Sequence, residues 1–414
     1  MSAPQSPAGR AEPFAVRAAR WLTFGAAVSI LFSIAAFNIL MALALAALLM
    51  SGEPLRLPRI KLPLGLFLLG TLISMAFSGH MAEGIPQVRK FWIFLMLVAV
   101  YSALRSVRMM RWLFLTWAGF ASLGAARGMV QFVQKVQAAR AGNTSDYAFY
   151  VGERITGFMS HWNTFSAQEM LALIMLAAFL FFAPEMRKRM WVWIVCAGLM
   201  SLAVLLAETR AVWVGTAVAA LYLVWFWRRW LVVLVPVAIL LVFLVSPPVI
   251  KARFTSFTHP QGVDSNSFRR VTWATGFRMI EAHPLLGLGP EGIKYHFQEW
   301  VPPEIPRPLP EGWYGHLHNI YLQYAAERGI PTMLLMMWVL GQILWDFWRG
   351  LQTLPAGRSN SRFLLHGGIA VVLAILAEGL AENNLGDSEV LTMFLVVVGC
   401  GYLALEKGVV SEPQ

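Results

Sequence analysis

Residues 313–331 read WYGHLHNIYLQYAAERGIP. Two histidines at i, i+2 and then Asn319 stand directly before an apolar run holding Tyr321, Leu322, Tyr324 and Ala325. The longest polar interval of the chain, from about Ser246 to Leu317, ends there, and a membrane-like segment begins. His318 and Asn319 thus sit where a long water-facing loop meets the start of a transmembrane helix. The rest of the chain reads as a scaffold for polar chemistry at a bilayer surface.

Outward from that stretch, composition sets the class. The 414 residues are 58% hydrophobic and 13% charged, whereas a soluble domain carries about 25% charged residues. With many long apolar runs, this is an all-α polytopic membrane protein, a single membrane domain over 1–414. Seventeen tryptophans suit interfacial belts, where an amphipathic ring sits at headgroup level. The net charge of +11 does not indicate nucleic acid, because the cations are scattered over short loops. Cys196 and Cys400 both fall inside apolar runs, so neither a disulfide framework nor a cysteine metal site is expected. The N-terminal segment lacks a cleavage-like site after its first apolar run, and the first helix is expected to be retained.

Apolar runs place helices at about 18–35, 36–50, 62–78, 86–103, 109–137, 163–183, 189–206, 211–227, 230–247, 318–345, 362–381 and 388–406. Twelve transmembrane helices are therefore expected. Their alternate connections are rich in Lys and Arg, as at Arg56–Lys61, Arg105–Arg111 and Arg228–Arg229. The opposite short connections, 78–84, 207–211 and 381–388, hold one Arg among them. Basic short loops stay cytoplasmic, so both termini are expected inside, with the loops at 138–162 and 248–317 outside. Within the larger loop, residues 267–282 mix apolar and basic positions and predict an amphipathic helix on the bilayer surface. Residues 283–292, HPLLGLGPEG, predict a Pro/Gly turn followed by a second short helix to Trp300.

Several cations fall on the outer side or within helices: Arg89, Lys90, Arg127, Arg154, Arg210, Arg269 and Arg270. Cations in or near hydrocarbon are costly and mark functional cavities, and an anionic outer-side ligand accounts for them. Arg210 opens a helix that re-enters the membrane, where unpaired N–H groups and the dipole favour an anion. Its guanidinium adds a fork suited to phosphate. A snorkelling anchor paired with Glu208 is the competing reading. His316 and His318 lack a third ligand at helical spacing, so no metal site is expected. His316 reads as a helix cap. His318, beside Asn319, reads as a general base, since an imidazole can be neutral near pH 7. Glu382, Asp387 and Glu389, in AENNLGDSEV, could orient a histidine, bind a sugar or serve as ordinary loop carboxylates. Asn143-Thr144-Ser145 matches a glycosylation sequon, a pattern common by chance.

Four segments together resemble the O-antigen ligase and polymerase superfamily of bacterial inner membranes. They are ETRAVWVG (208–215), the R-x-x-x-W of Arg269 to Trp273, IEAHPLLGLGPEG (280–292) and HLHNIYLQYAAERGI (316–330). GFMSHWN (157–163), with His161 and Asn163, is similar to the family's loop before the sixth helix. The resemblance implies a GT-C-like membrane glycosyltransferase without cofactor, metal or nucleotide sugar. The donor it implies is a polysaccharide on undecaprenyl diphosphate, and the acceptor is lipid A-core. Its first arginine falls on Arg210, its loop arginine on Arg269 or Arg270, and its histidine on His318. Arg89, Lys90, Arg127, Arg154, His161, Asn163, His316, Asn319, Tyr321 and Glu382 are expected to bind donor or acceptor. The short tail after the last helix favours a ligase over members that glycosylate proteins. A polymerase shares the chemistry, and a polyprenyl-glycan flippase is the alternative from another class. A flippase would need cations on both leaflets and an internal repeat.

Overall fold

The computed structural model describes residues 12–142, 152–184, 189–255 and 266–406, and among these every regular element is helical. The first half comprises α1 (Phe14–Ser29), α2 (Ile34–Met50), α3 (Lys61–Phe77), α4 (Met81–Arg89), α5 (Phe91–Ala103), α6 (Val107–Ala141), α7 (Trp162–Phe182) and α8 (Met190–Leu206). The second comprises α9 (Arg210–Arg228), α10 (Val235–Val245), α11 (Pro248–Thr255), α12 (Asn266–Ala282), α13 (Gly292–Trp300), α14 (Ile320–Thr353), α15 (Asn360–Glu378) and α16 (Ser388–Ala404). The sequon at 143–145 lies outside the described residues.

The expectation of twelve spans is corrected. Among the described residues, six helical stretches are long and apolar enough to cross a membrane: Met81–Ala103, Val107–Ala141, Trp162–Phe182, Arg210–Val245, Ile320–Thr353 and Asn360–Glu378. Two physical reasons account for the difference. The runs at 18–35, 36–50, 62–78, 189–206 and 388–406 form helices of 16 or 17 residues. At about 1.5 Å per residue these reach roughly 25 Å, short of the ~30 Å hydrocarbon core. The runs at 211–227 and 230–247 join into one helical stretch, through a 3-10 segment at Arg229–Leu234.

The centre of the molecule is α15, which packs against α7, α9, α14 and α16. It is apolar nearly all round, and Phe363, Leu365, Ala370, Val371 and Val372 are fully buried. A helix buried on every side needs no polar face. Its crossing with α9 is close: a Cβ on Gly215 would stand 2.9 Å from the Ala374 carbonyl oxygen.

The outer loop is structured. The helix expected at 267–282 forms as α12, but its Phe268, Val271 and Met279 face protein. Val271 and Met279 join Ile293 and Phe297 of α13 with Leu317 and Ala326 in a small core, and Phe268 packs against the Tyr314 and His318 rings. The helix α14 is broken at Gly329 (φ 80°, ψ 158°), just before Pro331. Its interrupted ladder is completed by the Pro/Gly turn of the loop. Leu288 N–H donates to Ala326 O (2.9 Å), Gly289 N–H to Glu327 O (2.8 Å), and Ile330 N–H to Pro284 O (2.8 Å). Buried backbone groups need such partners, and here they lock the loop onto the membrane body.

Candidate active site

The N-terminus of α14 is welded to the C-terminus of α15. Asn319 caps α14, its side-chain oxygen accepting from Tyr321 and Leu322 N–H at 3.0 Å each. Its amide donates to Leu380 O (3.0 Å), and Ile320 N–H donates to Gly379 O (2.8 Å). The Tyr321 hydroxyl donates to Leu376 O (2.6 Å). The polar atoms of Asn319 and Tyr321 are thereby committed to holding this junction. One residue before the cap, His318 takes a left-handed backbone (φ 48°). A non-glycine residue there costs about 1–3 kcal/mol and persists only where its surroundings enforce it.

The weld brings His318 to Glu382. The imidazole Nδ1 lies 3.0 Å from one carboxylate oxygen of Glu382. Arg269, from the first turn of α12, donates to the other at 2.7 Å. Asn163, from the first turn of α7, donates to the first oxygen at 3.2 Å and to Asn384 Oδ1 at 3.2 Å. Glu382 is 7% exposed. Burial pushes its carboxyl up, but the His318 hydrogen bond and the charges of His318 and Arg269 outweigh it, holding the carboxyl below its ordinary value. An ionised carboxylate only accepts, so His318 Nδ1 carries the hydrogen that it shares with Glu382. Carboxylates orient histidines this way in hydrolytic triads. Of the doubled arginine, Arg269 reaches the carboxylate, whereas Arg270 is exposed.

Further cations gather beside this pair. Arg210 is 6% exposed at the start of α9, and its Nη2 donates to Asn266 Oδ1 (2.7 Å). Arg253 Nε donates to Glu208 O (3.0 Å). Arg154 lies over the Trp162 ring at 4.7 Å. Burial, then the charge of Arg253, pushes its guanidinium down to about 10, so it remains a cation at neutral pH. Four arginines from separate segments thus converge near two carboxylates, as binding a polyanion requires.

A cavity of about 730 Å³ opens next to this cluster, within the range of small-molecule sites. His161, Asn163, His316, Trp313, Lys90 and Asp387 are among its lining residues. Lys90 donates to Gly386 O (2.7 Å). Burial and then Arg154 push His161 down, consistent with its Nδ1 accepting from Asn163 N–H (3.2 Å). Burial and then His318 push His316 down to about 3, so it stays neutral. Its Nδ1 accepts from His318 N–H (3.2 Å). Burial, and less so Glu389, raises Asp387 to about 6, although Thr164 donates to it at 2.9 Å.

Arg89 and Arg127 stand apart. Both are exposed, and Arg127 rests on Phe158 at 5.2 Å. Conversely, Arg253, Asn266 and Asn384 belong to the site's surroundings although the sequence singles out none of them. Arg253 carried the one available signal, a cation in the outer loop.

Residues 195–337 match the model of the Wzy_C family, described as O-Antigen ligase. The matched stretch contains Arg210, Arg253, Arg269 and His318 but neither Asn163 nor Glu382. No curated protein matches the chain.

Proposed function

We propose that this protein is an O-antigen ligase. It transfers a polysaccharide from undecaprenyl diphosphate to a hydroxyl of lipid A-core, at the outer face of the bacterial inner membrane. The observation that carries this reading is the shared carboxylate of Glu382, which holds His318 and Arg269 together beside a polar cavity lined by its partner Asn163. His318 Nε2 takes the proton of the acceptor hydroxyl. The freed oxygen bonds to the anomeric carbon, the bond from that carbon to the diphosphate breaks, and the diphosphate leaves with the electron pair. Direct displacement inverts the carbon. Charge grows on the leaving diphosphate as the bond breaks, and arginines already in place stabilise it without reorganising. Arg210, Arg269 and Arg154 supply that charge. Lys90 and the cavity residues hold the sugars.

The test uses the purified protein in nanodiscs with undecaprenyl-diphosphate-linked glycan and lipid A-core, without ATP or nucleotide sugar. A lipopolysaccharide band that appears with wild type and not with His318→Ala is expected. Lengthening of the glycan on its carrier, with none passed to lipid A-core, would replace this reading with a polymerase. Absence of both products from a folded sample would favour a transporter.

A further inference from the structure

Away from that cluster, α4 and α13 meet at three side chains whose chemistry the proposed transfer does not use. His80 precedes α4, Glu83 lies in its first turn, and His296 projects from α13. The two oxygens of Glu83 divide between the histidines: Oε1 is 3.7 Å from His80 Nδ1, and Oε2 is 3.0 Å from His296 Nε2. The imidazole centroids are 4.5 Å apart. All three ligand atoms lie within 4.8 Å of one another. A tetrahedral zinc ion binds nitrogen and oxygen at about 2.0–2.2 Å, which sets its donors roughly 3.3–3.6 Å apart. One donor atom from each residue, all within 4.8 Å of one another, brackets that spacing, so side-chain rotations would complete the set.

A second observation points the same way. The other ring nitrogen of His296, Nδ1, lies 3.2 Å from Glu299 Oε1. A histidine that binds metal through one nitrogen characteristically gives its other N–H to a carboxylate, which fixes the tautomer and strengthens the ligand. Here Glu299 would hold the hydrogen on Nδ1 and leave Nε2 facing Glu83 and His80. Two imidazoles and one carboxylate form a set that suits zinc-class divalent cations better than calcium or magnesium, which prefer all-oxygen shells.

We propose that His80, Glu83 and His296 bind a zinc-class divalent cation that clasps α13 of the outer loop to α4 of the membrane body, with water completing the coordination. The clasp lies near another link between the same elements, Gln87 Nε2 donating to Glu291 Oε1 at 2.6 Å. Gln87 and Glu291 both line the large cavity. Cation occupancy therefore steadies a wall of that cavity without contributing a group to the transfer itself.

The experiment uses the full chain, purified with a histidine-free tag in detergent and stripped with a chelator that is then removed. Zinc is titrated calorimetrically, and melting is followed with and without it. One Zn²⁺ per chain and a higher melting temperature are expected. Loss of a partner outside the coordination shell alone weakens metal sites by about 10–100-fold. His296→Asn and Glu83→Gln should therefore each weaken binding at least that much, and His283→Asn should leave it unchanged. His80 is 53% exposed in its side chain, so His80→Asn is a second variant that should fold normally while losing affinity. No zinc bound by wild type would overturn the proposal. So would equal affinity in wild type and the His80→Asn/His296→Asn double variant, since the three residues would then be only a hydrogen-bonded cluster.

Discussion

Glu382 gives one carboxylate to three donors, His318, Arg269 and Asn163, and its removal should be felt through all of them. With His318→Ala, the transfer rate is expected to fall by about 10²–10⁴-fold, the usual contribution of a general base. Glu382→Gln keeps the volume but removes the charge that fixes the imidazole and balances Arg269, so a loss of similar size is expected. Because the two residues act as a unit, the double variant should be little worse than either single one. Multiplying losses in single-turnover rates would show that Glu382 acts separately. The doubled arginine offers a sharper contrast. Arg269→Ala should cost most of the activity, whereas exposed Arg270→Ala should leave rate and melting temperature nearly unchanged, as surface changes within about 0.5 kcal/mol do. His318, Arg210 and the arginine pair are legible as candidates because each stands at a helix start or in a polar loop. The sequence allows Glu382, Asp387 or Glu389 to orient a histidine, but that Glu382 is the one that meets His318 is not legible, since 64 residues separate them. Only the weld between α14 and α15 brings them together.

Among elements, the most constrained backbone position is Gly329. Its φ of 80° with ψ of 158° belongs to a region that is essentially glycine's alone. A Cβ there would stand 2.0 Å from the Leu285 carbonyl oxygen. Gly329→Ala should therefore lower stability by more than the roughly 1–3 kcal/mol of backbone strain, because the loop turn must also retreat. Gly52 is the control: its φ is also positive, at 68°, but nothing lies within 4 Å of the added carbon. Gly52→Ala should show the strain cost alone when melting temperatures in detergent are compared. Equal shifts would mean that the turn is not seated in the broken helix. This scale also shows why helix positions were legible and the number of spans was not. Hydropathy locates apolar runs, and nearly every run became a helix. It does not resolve whether a helix ends at 17 residues, nor whether Arg228 and Arg229 separate two helices or sit at a joint in one. Those outcomes depend on caps and neighbours such as Ser33, whose side chain accepts from Ala36 N–H to start α2.

For the whole molecule, the buried site couples stability to pH. His316 is held down to about 3 by burial and His318, while an unfolded histidine titrates near about 6.5. Between those values the unfolded chain binds a proton that the folded chain does not, so stability falls as pH falls through that window. His161, also pushed down, adds the same sign. Glu382, with its depressed carboxyl, contributes stability above the unfolded carboxylate value of about 4.3, which is lost as pH drops below it. Asp387, raised to about 6, acts oppositely and favours the folded state on the acid side. The melting temperature of His316→Gln should therefore decline less than that of wild type between pH ~6.5 and ~4.5. Parallel curves would mean that His316 titrates normally in the folded protein.

The long separation of the site's partners has a further consequence, in the order of synthesis. Arg269 leaves the ribosome 113 residues before Glu382. At about 5–20 residues per second, it waits roughly 6–23 s for that carboxylate. By the end of that interval the nascent chain carries its histidine and arginines, while the carboxylate that joins His318 to Arg269 has yet to emerge. A chain cut or released before residue 382 would bear every cation of the proposed site yet lack the carboxylate that joins them, so the turn between α15 and α16 is the piece that completes it.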